Sequence, residues 1–293
     1  MALKGKKPEA IQKRLKALFY GLAGVGKTTA AIQFPRPYLV DTERGAENDQ
    51  YVKILEQKGG AIFQTSDFDD LINEVKTLLS INHPYKTLII DPLTTLYNNL
   101  LEKTAKDLKE KSKDKDATGT EFGRHYAETN KQMKHLMQLL LRLDMNVIIT
   151  SHAKNEYGTD MSVLGQTYDC YKKLDYLFDL VFEIQKRGKE RVGIIKKSRI
   201  ETFPDGETFP FSYDHIAEKY GRQVLEKDTI AEKLATIEQV NELNRLVELL
   251  KIPVETTDKW LDRANAENFS EMNEVLMEKC IKSLQNKLTG EAV

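Results

Sequence analysis

Apolar positions along the chain follow two patterns. Nearly continuous runs at 15–20, 88–90 and 147–149 predict strands buried on both faces, because a strand exposed on one side would alternate apolar and polar residues. Shorter runs at 37–41 and 61–63 predict two more strands, and 180–184 with 191–195 predict a hairpin around Lys186-Arg187-Gly188. Between these runs the apolar residues recur at helical spacing. Helices are expected over 28–34 and 52–58, over a segment capped by Ser66 and carrying Leu71, Val75, Leu78 and Leu79, and over 98–108, 127–143 and 172–180. Strand signals stop near Asp228. Thr236 and Gln239 then form a capping box before Val240, Leu243, Leu246, Val247 and Leu250. Further helices are expected over 257–264, which holds Trp260, and over 271–288. The order predicts an α/β fold with a central, mostly parallel sheet over residues 1–227, followed by a small all-α module over 228–293.

Composition narrows the class of protein. Hydrophobic residues make up 40% of the 293 and charged residues 30%, the balance of a water-soluble globular chain. A formal net charge of −1 means that any nucleic-acid surface must be local. Cys170 and Cys280 are the two cysteines and lack metal-ligand spacing, which fits a reducing compartment. No apolar run nears the roughly 20 residues of a membrane span and no signal-peptide core opens the chain. A cytoplasmic protein without membrane contact is therefore expected.

The strongest motif follows the first strand. Gly21-Leu22-Ala23-Gly24-Val25-Gly26-Lys27-Thr28 satisfies the phosphate-loop pattern at every fixed position, with a helix beginning at Thr28-Thr29. Glycines let backbone N–H groups turn toward an anion, and the helix start adds partial positive charge. Lys27 would reach the β- and γ-phosphates and the Thr28 hydroxyl would ligate Mg²⁺. A second strand, 85–91, ends in Asp91, the partner expected to hold that Mg²⁺. Many ring ATPases of the AAA+ type place a catalytic glutamate directly after this aspartate. Pro92 stands there instead, so the water-orienting carboxylate must come from elsewhere, and Glu43 in Asp41-Thr42-Glu43 is the best-placed candidate. Ser151-His152 ends the strand at 146–150 and can sense a γ-phosphate, although a lone histidine serves equally well as a structural group.

Four further segments carry charge. Residues 1–16 are basic, a solvated arm or a contact for phosphate or a neighbouring subunit. Residues 106–120 are lysine-rich and nearly without apolar groups, which predicts a mobile loop. It leads into Phe122-Gly123-Arg124-His125-Tyr126, where rings that stack on bases alternate with groups that hold phosphate, or where packed rings simply anchor a helix start. Residues 153–167 have turn residues and little periodicity, a second candidate mobile loop that includes Lys154. Lys196-Lys197-Ser198-Arg199 is a solvated strand edge or a charge offered to a neighbour's nucleotide.

Taken together, these residues resemble a RecA-type ATPase over roughly residues 15–213, and more closely the phage-encoded single-domain RecA-like proteins that act as single-strand annealing recombinases. The resemblance implies a RecA-like P-loop core that binds ATP and Mg²⁺ between protomers and hydrolyses ATP. It implies Glu43 as the residue that polarises water and His152 where that family has a glutamine sensor. It also implies Lys197 and Arg199 as charges inserted into the adjacent subunit's site. The segments after Asp91 and His152 fall where RecA proteins place DNA-binding loops, which brings in Arg124, His125, Tyr126 and Lys154. The implied partners are single-stranded DNA, further copies in a ring or filament, and a single-strand-binding protein. A RecA-fold replication motor or loader, and a nucleotide-controlled assembly protein without nucleic acid, are the alternatives.

Overall fold

The computed structural model describes residues 13–112, 118–176 and 178–289. Its centre is a sheet ordered β3-β2-β4-β5-β1-β7-β8-β9. These strands are β1 (Lys16–Gly21), β2 (Pro37–Asp41), β3 (Ala61–Gln64), β4 (Thr87–Asp91), β5 (Asn146–Tyr157), β7 (Leu180–Arg187), β8 (Glu190–Ser198) and β9 (Thr208–Pro210). The first six in spatial order are mutually parallel, and β8 and β9 add on antiparallel. The α/β class and the mostly parallel sheet are thus as the apolar runs indicate.

β1 explains why. All six of its residues are buried, and they alternate between two cores. Leu18 and Tyr20 face one layer, built with Leu71, Val75, Leu96, Leu136 and Leu140 from helices α3 (Phe68–Ser80), α4 (Leu93–Lys111) and α5 (Arg124–Arg142). Ala17 and Phe19 face the other layer, built with α1 (Lys27–Ala31) and an aromatic cluster. In that cluster Phe182 meets Phe19, Phe203, Phe209 and Phe211 at ring separations of 5.7, 6.0, 5.6 and 5.5 Å. A strand buried on both sides has no polar face to show, hence the continuous apolar run.

Several elements differ from the sequence expectation. β5 does not stop at Thr150 but runs on to Tyr157 and turns into β6 (Val163–Tyr168), so the supposed loop at 153–167 is an antiparallel hairpin. Helix α4 extends through Lys111, so the loop expected from residue 106 begins later; residues 113–117 lie outside the described ones. α5 starts at Arg124, which puts Arg124, His125 and Tyr126 in its first turn. Among the described residues of 172–180 there are turns and no helix. The cap of α3 is Asp67, whose side chain accepts from the N–H groups of Asp69 and Asp70, not Ser66. Of the basic arm, residues 1–12 lie outside the described ones, and Arg14 and Lys16 are buried ties within the fold, not solvated charges. Arg14 pairs with Asp144 and donates to the carbonyls of Val224, Lys227 and Asp228. Lys16 donates to those of Leu140, Leu143 and Met145 at 2.8–2.9 Å.

Helix α2 (Asp49–Lys58) follows β2, and α6 (Tyr213–Tyr220) with α7 (Arg222–Leu225) closes the aromatic layer. The C-terminal helices α8 (Ile237–Leu249), α9 (Val254–Ala264) and α10 (Glu274–Thr289) enclose a third apolar cluster of their own around Leu243, Leu246, Met277 and Leu284. The capping box at Thr236 and Gln239 is formed. No helix among the described residues is long and apolar enough to cross a membrane.

Candidate functional site

Parallel strands point their carboxyl ends at one edge of the sheet, and an α/β sheet presents ligands there. The register decides what meets there. Gly21 at the end of β1 pairs with His152 on β5, and Asp41 at the end of β2 pairs with Asp91 at the end of β4. β5 lies between the strand that opens the phosphate loop and the strand that ends in Asp91. Residues far apart in sequence therefore converge. A cavity of about 250 Å³ is lined by Lys27, Thr28, Asp41, Glu43, Asp91 and His152, together with Ala23 and Gly24 of the loop.

The loop has the backbone its glycines allow. Gly24 (φ 74°) and Gly26 (φ 94°) are left-handed, a region other residues enter only with strain. The Lys27 ammonium is folded back onto the carbonyls of Gly21 and Leu22, each at 2.9 Å. Burial lowers its pKa, while the charges of Asp91 and Glu43 hold it up.

Asp91 is the buried acid of the site. Burial raises its pKa, opposed by hydrogen bonds from Thr150 and Thr28 and by the charge of Lys27. The Thr28 hydroxyl on the Asp91 carboxylate brings together the two groups expected to hold Mg²⁺. A hard cation takes oxygen ligands of this kind, and a buried carboxylate held by hydroxyls and an ammonium is suited to gain one. The donor set fits the ion.

Glu43 is positioned by a chain of contacts. Asp41 accepts from the N–H groups of Glu43, Gly45 and Ala46 at 3.3, 3.2 and 2.9 Å, which folds the turn after β2. Thr42 ties that turn to β4: its N–H donates to the Asp91 carbonyl at 3.1 Å and its hydroxyl to the Pro92 carbonyl at 2.9 Å. The Asp91–Pro92 peptide is cis. The Thr95 hydroxyl in the first turn of α4 donates to Glu43 Oε1 at 2.5 Å, and His152 Nε2 lies 3.5 Å from the same oxygen. His152 is fixed in turn by Thr94, whose hydroxyl accepts its backbone N–H at 3.0 Å and meets Ser151 Oγ at 3.1 Å. Asp41 is legible only as part of the acidic strand end Asp41-Thr42-Glu43, and nothing in the sequence marks Thr94, Thr95 and Thr150 as site residues. Their types are common, and only the pairing of β2, β4 and β5 brings them together.

The remaining candidates lie elsewhere. Lys197 at the end of β8 and Arg199 just beyond it lie at the edge of the sheet opposite the phosphate loop. Ser198 pairs with Leu180, and Leu180 with Ala17 near the start of β1. Lys197 Nζ donates to the carbonyls of Asp175 and Phe178, and Arg199 to that of Tyr176 at 2.6 Å. Lys154, on the extended β5, pairs with Asp169 at 2.9 Å. At the start of α5 the rings of His125 and Tyr126 lie 4.2 Å apart, Tyr126 is half exposed and Phe122 fully exposed. Tyr97 on α4, its phenol pushed up to about 12 by burial, is within electrostatic reach of both Tyr126 and Asp169.

A protein-family model described as "AAA domain" matches residues 13–208. Among solved structures, that of the RadB recombinase is 20% identical with a TM-score of 0.45, spanning 66% of this chain and 84% of that one. No curated protein matches. Pro92 stands where many AAA+ ATPases have a glutamate, and the family match spans that position.

Proposed function

The chain belongs to the AAA domain family that spans its residues 13–208, and from that premise we propose that it binds ATP with Mg²⁺ and hydrolyses it. The observation that carries the reading is the convergence of Lys27, Thr28, Glu43, Asp91 and His152 on one cavity beside the glycine loop. The nucleotide supplies the scissile phosphoanhydride, and a bound Mg²⁺ would supply neutralisation of the developing charge. Lys27 exchanges the carbonyls of Gly21 and Leu22 for phosphate oxygens. Thr28 and Asp91 would hold the metal. Glu43, held by Thr95, orients the attacking water, and His152 either steadies Glu43 or donates to phosphate. Phosphoryl transfer needs position and charge, not a covalent intermediate, and these side chains supply both.

We extend the reading to single-stranded DNA: a RecA-like protein that assembles, binds the strand and promotes annealing or recombination of phage DNA, alongside a single-strand-binding protein. The motif order supports it. So does the surface at the start of α5, where Phe122, Arg124 and Tyr126 offer rings and a cation beside α4. Lys154 contributes only by leaving Asp169. One observation favours the reading without nucleic acid. The tip of the β5–β6 hairpin exposes Met161, Val163 and Leu164 next to Glu156 and Asp160, a surface that suits a protein partner better than a phosphate backbone.

Two measurements test this. Lys27→Ala abolishes ATP turnover in a phosphate-release assay; undiminished turnover would sink the nucleotide reading. Labelled oligonucleotides bind with little sequence preference and with affinity that falls steeply as salt rises, read by fluorescence anisotropy. Absence of binding at low salt, with and without a non-hydrolysable ATP analogue, removes the DNA reading and leaves the ATPase.

A further inference from the structure

Arg191 lies across the phosphate loop. It stands second in β8, and its side chain rests on the bare Cα of Gly26: a methyl built there would come 2.0 Å from its Nε, 2.7 Å from Cδ and 2.9 Å from Cζ. The stem is anchored. Arg191 pairs with Lys186 across the β7–β8 ladder, and its carbonyl accepts the N–H of Phe211, a member of the aromatic core, at 2.8 Å. The guanidinium is exposed and makes no hydrogen bond or ion pair among the described residues. Arg14, Arg142 and Arg222 each hold a carboxylate, whereas Arg191 shares its lack of a partner with the exposed Arg44 and Arg124 and differs from them in lying on the phosphate loop. An unpaired cation laid on a loop built to hold anions is electrostatically incomplete, since the loop residues and the guanidinium attract the same negative group.

We infer that Arg191 binds the phosphate chain of the nucleotide held by its own subunit, an assignment that rests on the nucleotide reading above. The cavity that gathers Lys27, Glu43, Asp91 and His152 does not include Arg191. The arginine is accordingly assigned away from the groups that serve the terminal phosphate. Its contact is with oxygens common to ADP and ATP. Arginine suits this position because its planar fork can give two parallel N–H donors to one phosphate. Gly26 matters here twice over, for its left-handed φ of 94° and because any side chain would displace Arg191.

The test is nucleotide affinity, measured by calorimetry with ADP and with a non-hydrolysable ATP analogue for wild type, Arg191→Ala, Arg191→Gln and Arg191→Lys. Loss of one charge-assisted contact weakens both nucleotides by a similar factor, about ten- to a hundred-fold in Arg191→Ala and Arg191→Gln, with partial recovery in Arg191→Lys. Thermal melting without nucleotide stays at the wild-type value, since the guanidinium holds nothing in the fold. Wild-type affinity in the alanine and glutamine variants overturns the assignment and leaves the ATPase reading intact. So does a loss confined to the ATP analogue, which would put the arginine at the terminal phosphate. A wild-type protein that binds neither nucleotide removes the reading beneath the assignment and the assignment with it.

Discussion

At the scale of the residue, the site divides into groups whose spacing announces them and groups that only folding brings in. Lys27 and Thr28 sit in a contiguous motif, and Asp91 ends an apolar strand. Thr95 and Thr94 have no such signature. They matter because α4 starts where Glu43 and His152 arrive from other strands. In the proposed mechanism Glu43 is the residue on which catalysis turns. Glu43→Gln keeps an acceptor for the Thr95 hydroxyl and removes the negative charge that orients water. Steady-state turnover is expected to fall by about a hundredfold or more, the range for loss of a general base. Nucleotide affinity should hardly change, because the group acts on the reacting water and not on the bound phosphate. Normal turnover in this variant would take the catalytic role away from Glu43. Asp41 is one step further back. It touches the backbone of the turn, so its replacement acts through Glu43 and is a positioning effect.

At the scale of the element, buried segments are legible and those that leave the core are not. β1, β4 and the inner half of β5 read correctly because burial on both faces fixes their composition. The outer half of β5 and β6 are exposed or half-buried, so no apolar alternation marks them, and a hairpin looks like a loop. The docking of the C-terminal helices is likewise invisible in the sequence, since polar contacts carry much of it beside the packing of Leu234 on the α/β core. Lys76 of α3 pairs with Glu271 at 2.7 Å, and Arg142 of α5 holds Glu232 and the Glu271 carbonyl. His135 of α5 is buried in the same seam. Neither of its ring nitrogens makes a hydrogen bond, with the Glu271 and Glu267 carboxylates at 3.6 and 3.8 Å and Lys76 and Arg142 nearby. Burial lowers its pKa below the ordinary 6.5, against the pull of the two carboxylates. The unfolded chain therefore takes up a proton first as pH falls through that value, and stability drops toward the lower folded pKa. Glu271 works in the same direction at lower pH. Burial raises its pKa, but Lys76, the Glu267 N–H and His135 outweigh that and hold it below 4.5, so its contribution is lost on further acidification. The wild-type melting temperature should fall between pH 7 and pH 5.5 more than that of His135→Asn. Parallel curves for the two proteins would show that the histidine is not the titrating group.

At the scale of the whole molecule, the two sets of cations on β8 lie at opposite ends of one strand. Arg191 begins it beside Gly26, while Lys197 and Arg199 end it beside the start of β1. A strand rises about 3.3 Å per residue, so the eight steps from Arg191 to Arg199 span roughly 26 Å. Arg199 cannot serve the loop that Arg191 serves. A charge that Arg199 gives to a nucleotide would therefore go to another subunit's, and complementation of two defective variants reads this. Lys27→Ala and Arg199→Ala should each be inactive alone. In an equal mixture the intact loop of an Arg199→Ala subunit can meet the intact Arg199 of a Lys27→Ala neighbour, and ATPase activity should return to about a quarter of wild type. Arg191→Ala mixed with Lys27→Ala should show no such recovery, because both changes strike the subunit's own loop. No recovery in the Arg199→Ala mixture would confine that arginine to its bonds with Asp179 and Tyr176, and the active site would then be complete within one chain.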